Sequence, residues 1–461
     1  MKRYSGFLIC MAASACGLFS CKLGKEYARP GMPLPAQLEA EAPADTVSVE
    51  SVAWESLYTD TVLQRLIRQA LDNNKDIRIA VARIKEMAAA KRIRFADLFP
   101  AAGLDLNAQK ERLDYGGDDP APDPEFDAKI AFSWEVDLWG NLRWANEAAV
   151  AAYVQTVEAR RSVQLTIVAE VAQAYFELNA LDRELAIVKQ TVKARREGVR
   201  FARLRFEGGL TSETAYRQSQ VELARTETLV PSLERRIELK EGDLSLLLGE
   251  FPSYIPRGKS LREQQLPGSL PVGLPSALLE RRPDLRQAEQ ALREANAEVG
   301  VAYTARFPRL RLTGNFGFES DELGTLLKSP AGFIAGDLLT PLFTMGKNRA
   351  KLKAAEARYE QEAYRYEKSV LVAFKEVNNA LVTFRKAKEV RASRARLEEA
   401  ARTYLDLARL QYINGITSYI DVLDAQRGLL DAEIGLNNAI LDELLSTVML
   451  YKALGGGVPA A

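Results

Sequence analysis

The side chains with the most distinctive chemistry are three cysteines, all of which lie within the first 21 positions. A basic pair precedes an apolar stretch from residue 7 to residue 19, which has the length of a signal-peptide core and is too short to span a membrane. Residues 18–21 read Leu-Phe-Ser-Cys, the pattern of a lipoprotein processing site. We therefore predict that 1–20 is a lipoprotein signal peptide and that Cys21 is lipidated. Processing at Cys16 and an ordinary secretory peptide are the alternatives.

The rest of the chain lacks the side chains that most enzyme sites use. It contains no histidine, and no cysteine follows residue 21, so the commonest metal ligands and the commonest general base at neutral pH are missing. The 62 basic side chains balance 62 acidic ones, which leaves no net charge to attract nucleic acid. We predict a protein that is not an enzyme, holds no cofactor or metal, and binds no nucleic acid.

Two carboxylates are spaced so that both could interact with a passing ion. Asp421 and Asp424 lie three positions apart, on one face of a predicted helix, just after Asn414 and Gly415. If several copies of the chain surrounded an axis, each aspartate would become a ring, and such rings select cations at a constriction. The alternative is that both are ordinary solvated carboxylates of a helix.

These carboxylates follow the second of two similar turns. Residues 201–212 and 407–418 share a pattern of apolar, basic and glycine positions at an offset of 206. The same offset recurs along most of each half, which indicates a duplicated unit. Gly208 and Gly209 hold the place of the asparagine–glycine pair in the first copy, and both pairs predict the end of a helix that folds back as a hairpin.

Each copy is predicted to contain a helix, a β-hairpin, a very long helix and a return helix. Apolar residues of the long helices have the 3.5-residue period of supercoiled helices, and 1.5 Å per residue gives a length of about 100 Å. The predicted segments are the signal peptide 1–20, an N-terminal extended segment 21–60, the first repeat 61–255, a linker 256–275, the second repeat 276–454 and a C-terminal tail 455–461. The predicted elements are helices 61–97, 141–207, 213–248, 283–305, 347–413 and 419–454, with β-hairpins at 101–138 and 309–343.

The hairpins determine the predicted assembly. Their residues alternate between polar and apolar over about 10 to 13 positions per strand, enough for a tilted strand to cross a bilayer. Four strands in one chain cannot close a barrel, and open sheet edges are not tolerated in lipid. Two copies would give eight strands with a filled interior, whereas three would give twelve strands and a bore. We therefore predict a mainly α fold with a transmembrane β-barrel portion: a trimer with a 12-stranded β-barrel and a 12-helix periplasmic tunnel.

Several segments match one known family over nearly the whole chain after the signal peptide. They are Cys21 followed by 27–30 (Tyr-Ala-Arg-Pro), 134–143 (Trp-Glu-Val-Asp-Leu-Trp-Gly-Asn-Leu-Arg), 278–289 (Leu-Leu-Glu-Arg-Arg-Pro-Asp-Leu-Arg-Gln-Ala-Glu) and 419–427 (Tyr-Ile-Asp-Val-Leu-Asp-Ala-Gln-Arg). Their order and spacing together are highly specific. On these residues the chain resembles the TolC-like outer-membrane efflux factors, in their lipoprotein branch.

That resemblance implies a homotrimeric outer-membrane channel that passively conducts drugs or other small molecules and has no enzymatic activity. The implied partners are a periplasmic adaptor (membrane fusion protein), an inner-membrane exporter that is usually proton-driven, and outer-membrane lipid. It assigns Asp421 and Asp424 to the channel aperture and Tyr412 to its tip. TolC-type members carry an arginine where this chain has Thr417, so no salt bridge is expected there. A lipid-anchored adaptor and a coiled-coil scaffold are the two alternative functions.

Overall fold

The computed structural model of the chain describes residues 22–35, 53–112, 122–265 and 275–456. The predicted signal peptide and Cys21 lie outside these residues. Parts of the predicted N-terminal segment, first hairpin, linker and C-terminal tail also lie outside them.

The described residues form ten α-helices and four β-strands. The six predicted helices and the two predicted hairpins occur in the predicted order, whereas α1, inside the segment predicted to be extended, and α7 were not predicted. The helices are α1 (Trp54–Leu57), α2 (Thr61–Asn73), α3 (Lys75–Ala96), α4 (Asn141–Glu207), α5 (Glu213–Glu227), α6 (Leu229–Leu248), α7 (Pro275–Arg281), α8 (Pro283–Thr304), α9 (Lys347–Ile413) and α10 (Tyr419–Ala453). The strands are β1 (Ala101–Arg112), β2 (Pro122–Val136), β3 (Arg309–Ser320) and β4 (Pro330–Leu339).

The two long helices α4 and α9 are the clearest sign of the duplication. Each has 67 residues. Their first residues, 141 and 347, and their last residues, 207 and 413, are both 206 positions apart. Gly140 precedes α4 with a positive φ of 85°. The Asp137 carboxylate then accepts hydrogen bonds from the backbone N–H groups of Leu142 and Arg143 at 3.2 and 3.0 Å, which satisfies donors that the first turn leaves free.

Two predicted helices are interrupted in the structure. The helix predicted at 61–97 is divided at Asn74, whose side-chain oxygen accepts from the N–H groups of Asp76 and Ile77 at 2.9 and 3.3 Å and so starts α3 as an N-cap. The helix predicted at 213–248 is divided at Thr228. Pro231 follows in the first turn of α6, where it cannot donate a hydrogen bond to the preceding turn.

The four strands form one antiparallel sheet in the order β1-β2-β3-β4. The second strand of the hairpin predicted at 309–343 ends at Leu339, and the first hairpin ends at Val136 rather than at 138. In the pairing, Leu104 lies opposite Ile130 and Ile130 lies opposite Phe316. These three side chains are 70%, 57% and 70% exposed. One face of the sheet therefore carries an uncovered apolar row.

The chain divides into two compact units, and each takes residues from both repeats. The described parts of 82–157 and 287–368, with residues 22–32, belong to the unit that contains the sheet. The other unit contains the main apolar core, in which Tyr175, Phe176 and Leu178 of α4 are 0% exposed. No helix in the described part of the chain combines the length and the hydrophobicity that crossing a membrane would require.

Candidate functional site

The first hairpin turn, after α4, contains the predicted residues Gly208 and Gly209. Gly209 has a φ of +68°, and its N–H donates to Phe206 O at 2.9 Å while Leu210 N–H donates to Arg205 O at 2.8 Å. This pair of bonds is a Schellman motif with glycine in the left-handed position. Gly208 is the last residue before that position. The chain then enters α5.

The second hairpin turn, after α9, repeats this geometry. Gly415 has a φ of +75°, its N–H donates to Tyr412 O at 3.1 Å, and Ile416 N–H donates to Gln411 O at 2.9 Å. Asn414 takes the place of Gly208, and its side-chain amide donates to Leu410 O at 2.8 Å. Both turns therefore satisfy the last carbonyl groups of a long helix in the same way.

Asp421 lies in the first turn of α10, where it has a structural partner that was not predicted. Its carboxylate accepts hydrogen bonds from the backbone N–H of Ser418 at 2.9 Å and from the Ser418 hydroxyl at 2.8 Å. An acidic side chain three residues after a serine N-cap is the signature of a capping box, so the signal was present in the sequence. The Asp421 side chain is exposed, and its negative charge also favours the helix N-terminus.

Asp424 lies one turn further along α10 and is also exposed. Val422, Leu423 and Ala425, on the other side of the helix, are at most 3% exposed. Among the described residues, Asp424 makes no ion pair within 4 Å, although its charge acts on Arg427. Asp421 and Asp424 thus share one exposed face of α10, as their spacing predicts.

Tyr412 lies inside a cluster of side chains beside the second turn, half-buried rather than at the exposed end. The centroids of the Tyr412 and Tyr419 rings are 5.2 Å apart. The Arg205 guanidinium lies over the Tyr412 ring, 4.8 Å from its centroid. Burial, and then the nearby Tyr412, raise the pKa of Tyr419 to about 12, so its hydroxyl stays neutral at physiological pH. The side chain of Tyr412 therefore contacts both hairpins of the chain.

A buried ionic cluster further from the turns joins three helices and was not predicted from the sequence. Glu222 of α5 is 3% exposed and accepts from Arg195 of α4 at 3.3 Å and from Arg427 of α10 at 2.5 Å. The hydrogen bond from Arg427 outweighs burial and holds the pKa of Glu222 below its usual value. The only signal in the sequence was Arg195, which breaks the apolar period of α4.

The sequence profile of the family described as "Outer membrane efflux protein" matches this chain over two stretches, residues 66–250 and 274–456, one in each repeat. The chain belongs to the outer membrane efflux protein family. A mainly α fold with a four-stranded sheet and a role as an efflux channel of the outer membrane are thereby confirmed. The alternative functions, a periplasmic adaptor and a coiled-coil scaffold, are not supported.

Named relatives and solved structures agree with this assignment. The solvent efflux pump outer membrane protein SrpC of Pseudomonas putida is 33% identical over 455 residues, which cover 95% of this chain and 96% of SrpC. The probable outer membrane lipoprotein SilC of Salmonella typhimurium is 31% identical over 443 residues, which cover 94% of this chain and 95% of SilC. The crystal structure of the open state of the Neisseria gonorrhoeae MtrE outer membrane channel has a TM-score of 0.88 at 29% identity, covering 95% of this chain and 98% of MtrE.

In this outer membrane efflux protein, the residues that follow Cys21 are fixed to the start of α4. The Lys22 ammonium lies 3.4 Å from the centroid of the Trp144 ring and pairs with Glu147. The indole N–H of Trp144 donates to Leu23 O at 2.7 Å. Trp144 itself is 0% exposed. Trp144 is therefore packed inside the fold and does not face lipid or water.

One group of acidic side chains on the sheet has the composition of a cation site. Oxygen atoms of Glu125, Asp127 and Glu319 lie within 4.8 Å of one another. The Lys129 ammonium lies 2.6 Å from Glu319 and 2.5 Å from Asp127. A side chain of this efflux protein therefore already supplies the positive charge that these carboxylates attract.

Proposed function

We propose that three copies of this outer membrane efflux protein share a single wall and form a passive exit duct. The observation that carries the proposal is the sheet: β1 and β4 are its edge strands and have no partner strand on their outer sides among the described residues. The strands contain 10 to 15 residues, enough to cross a bilayer when tilted. Because unpaired backbone groups are costly in lipid, β4 of one copy is expected to pair with β1 of the next.

The two faces of the sheet support the same proposal. The row Leu104, Ile130 and Phe316 is apolar and exposed, as a surface in contact with lipid must be. The neighbouring register position pairs Asp105 with Lys129 on the opposite face. Alternation of this kind is expected when one face meets lipid and the other lines a water-filled bore.

The long helices also leave surface that another copy would cover. Val171 and Leu178, on the apolar positions of α4, are both 0% exposed within one chain. Leu397 and Tyr404, on the corresponding pattern of α9, are 47% and 49% exposed. On the same seam of α9, Val377 and Ala387 are at most 8% exposed, so only part of the seam lies in water. The exposed part of a supercoiled helix requires a neighbouring helix. A 12-helix tunnel from three copies supplies one.

Asp421 and Asp424 form the aperture in this proposal. Their shared exposed face and the lack of an ion-pair partner for Asp424 among the described residues suit a ring of carboxylates around the threefold axis. Tyr412 then contributes to the aperture by packing the two hairpins of one copy against each other. Gly208, Gly209, Asn414 and Gly415 form the periplasmic tips of the hairpins.

Cys21 is the proposed lipid anchor, with Cys16 as the alternative. The contacts of Lys22 and Leu23 with Trp144 would hold a lipid on the preceding residue beside the junction of the sheet and α4. A cysteine that carries several acyl chains is a firm membrane anchor. The relative SilC is named as a probable outer membrane lipoprotein, which agrees with this proposal.

The partners follow from the same proposal. A passive duct needs a periplasmic adaptor and an energised inner-membrane exporter, and the proposed exporter is proton-driven. The relative SrpC is named as part of a solvent efflux pump. The proposed duct has no enzymatic activity and carries drugs or other small molecules that the exporter delivers.

Paired cysteines test the shared wall, because the chain has no cysteine after residue 21. A cysteine in place of Ala335 on β4 is combined with single cysteines along β1, at Gly103, Asp105 or Asn107. We expect oxidation to link separate copies into dimers and trimers at one register. The control pair Ala131→Cys and Asn315→Cys lies opposite within one sheet and should link only within a chain. No intermolecular link at any register would contradict the proposal.

Conductance tests the aperture. Asp421→Ala combined with Asp424→Ala should raise single-channel conductance or antibiotic leakage into intact cells, since both changes remove charge and bulk from the proposed constriction. Asp442→Ala removes an exposed carboxylate from the same helix 18 residues further on and should leave both unchanged. If the double variant and Asp442→Ala showed the same conductance and the same leakage, Asp421 and Asp424 would not form the aperture.

Fatty-acid labelling tests the anchor. Labelled palmitate should enter the wild type and Cys16→Ser equally, and should be absent from Cys21→Ser. Labelling that survives Cys21→Ser and disappears with Cys16→Ser would move the anchor to Cys16.

A further inference from the structure

Arg427 of α10 contacts the carboxylate of Glu222, although the charge of Asp424 also acts on it. Asp424 precedes it by three positions on the same helix, a spacing at which an acid and a base normally attract each other. The Arg427 guanidinium instead donates to Glu222 Oε1 at 2.5 Å. No ion pair joins Asp424 to Arg427 among the described contacts, although their charges interact.

Burial explains why Glu222 wins this competition. Its side chain is 4% exposed, whereas Asp424 is exposed to water. A charge-assisted hydrogen bond is stronger out of water, and a buried carboxylate is costly without cationic partners. Arg195, also 4% exposed, and Arg225 on α5 complete the shell around Glu222. The Glu222 carboxylate is thus held by three arginines from three helices.

We propose that Glu222 is a positioning residue for ion conduction, because it holds the charge of Arg427 away from Asp424. The aperture carboxylates then keep their negative charge even though an arginine lies one turn away from each Asp424. This inference rests on the proposed aperture. Without Glu222, Arg427 would turn to Asp424 and neutralise half of the six carboxylates that three copies contribute.

Ion selectivity measures this effect directly. The assay is the reversal potential of the trimer in planar bilayers under a KCl gradient, which gives the ratio of potassium to chloride permeability. Glu222→Gln should lower this ratio roughly fourfold, because three unit charges at about one Debye length in water change the local concentrations of potassium and chloride about twofold in opposite directions. Arg225→Gln removes another arginine partner of Glu222, one that lies on α5 and not on the aperture helix α10, and should leave the ratio unchanged.

A rescue separates positioning from loss of structure. In Glu222→Gln combined with Arg427→Met, no arginine is left to neutralise Asp424, so the ratio should return to the wild-type value. A loosened helix packing would not be repaired by this second change. A ratio that stays low in the double variant would overturn the proposal.

Two further variants test the idea without changing the buried carboxylate. Arg427→Met alone should leave the ratio at or above the wild-type value, because it removes a cation and leaves both aperture carboxylates in place. Gly428→Lys places an unheld cation four residues after Asp424, where an added Cβ meets nothing within 4 Å, and should lower the ratio. If Gly428→Lys has no effect, or Arg427→Met lowers the ratio, the positioning role is wrong.

The aperture itself has a separate control. Asp421→Asn combined with Asp424→Asn should lower the permeability ratio more than Glu222→Gln does. If this double variant changes nothing, the proposed aperture fails and the inference fails with it. If it lowers the ratio while Glu222→Gln does not, the aperture stands and only the role of Glu222 is refuted.

Discussion

The Asp60 carboxylate, which is 1% exposed, connects the start of α2 to the segment that follows α6. Its Oδ1 accepts from Val62 N–H at 2.9 Å. Its Oδ2 accepts from the Tyr175 hydroxyl at 2.8 Å, from Lys259 N–H at 2.9 Å and from the Gln264 side-chain amide at 2.8 Å. Both oxygens are therefore used as acceptors, on opposite sides of the carboxylate.

Asp60→Asn is expected to destabilise this segment about as much as Asp60→Ala does. The amide has one acceptor oxygen, so its NH₂ group must face either the cap or the three donors around Oδ2. Hydrogen bonds to a charged group contribute about 1.5–3 kcal/mol each and are not additive. A local loss of roughly 3 kcal/mol follows, which corresponds to about a 100-fold change in an opening equilibrium.

Hydrogen exchange of the peptide that spans residues 256–265 is the assay. The Lys259 amide should exchange about 100-fold faster in Asp60→Asn than in the wild type. Asp72→Asn, on an exposed position of α2, should not change it. The reasoning would be refuted if the Lys259 amide exchanged at the wild-type rate in Asp60→Asn and faster only in Asp60→Ala. The segment would then be stabilised by the volume of the side chain and not by the number of hydrogen bonds that it accepts.

The same carboxylate predicts an acid sensitivity with a definite sign. Burial disfavours its charged form, but the hydrogen bonds from Gln264 and Tyr175 outweigh burial and lower the pKa of Asp60. A lowered folded-state pKa stabilises the fold above the unfolded value of about 3.9, and this contribution is lost as the pH falls through the folded value. The difference in exchange between wild type and Asp60→Asn should therefore be constant near neutral pH and shrink below about pH 4.

Glycine replacements give two further tests by the heat-dissociation temperature of the oligomer. Gly300→Ala would place a methyl group into the Trp144 ring and should cost about 1–3 kcal/mol. Gly242→Ala, a helical position with open space, should be neutral or slightly stabilising. Gly415→Ala forces a left-handed φ of +75° on alanine and should cost about 1 kcal/mol, whereas Gly428→Ala, with open space inside a helix, should not. If Gly300→Ala lowered the dissociation temperature no more than Gly242→Ala, the contact with Trp144 would be refuted. If Gly415→Ala lowered it no more than Gly428→Ala, the need for a left-handed glycine at 415 would be refuted.

The features that the sequence predicted well are those with a local physical cause. The long helices α4 and α9 end where they do because Gly209 and Gly415 adopt a left-handed conformation that other residues disfavour. The pairing of apolar residues across the sheet follows from a two-residue period. These signals are contained in short stretches of chain.

The features that the sequence did not predict depend on residues far apart in the chain. Glu222 meets Arg427, 205 positions later, and nothing near either residue specifies the other. The break at Asn74 had a local signal, an asparagine N-cap, but a continuous helical pattern on both sides concealed it. The side chain of Asn74 also donates to Leu247 O at 2.9 Å, a tertiary contact that favours the break.

The most direct test of the shared wall is the mass of the protein extracted from membranes in a mild detergent, measured by native mass spectrometry. We expect a single species with the mass of three processed chains and their acyl groups, which dissociates only on heating. A folded, stable monomer in detergent, with β1 and β4 satisfied within one chain, would contradict it.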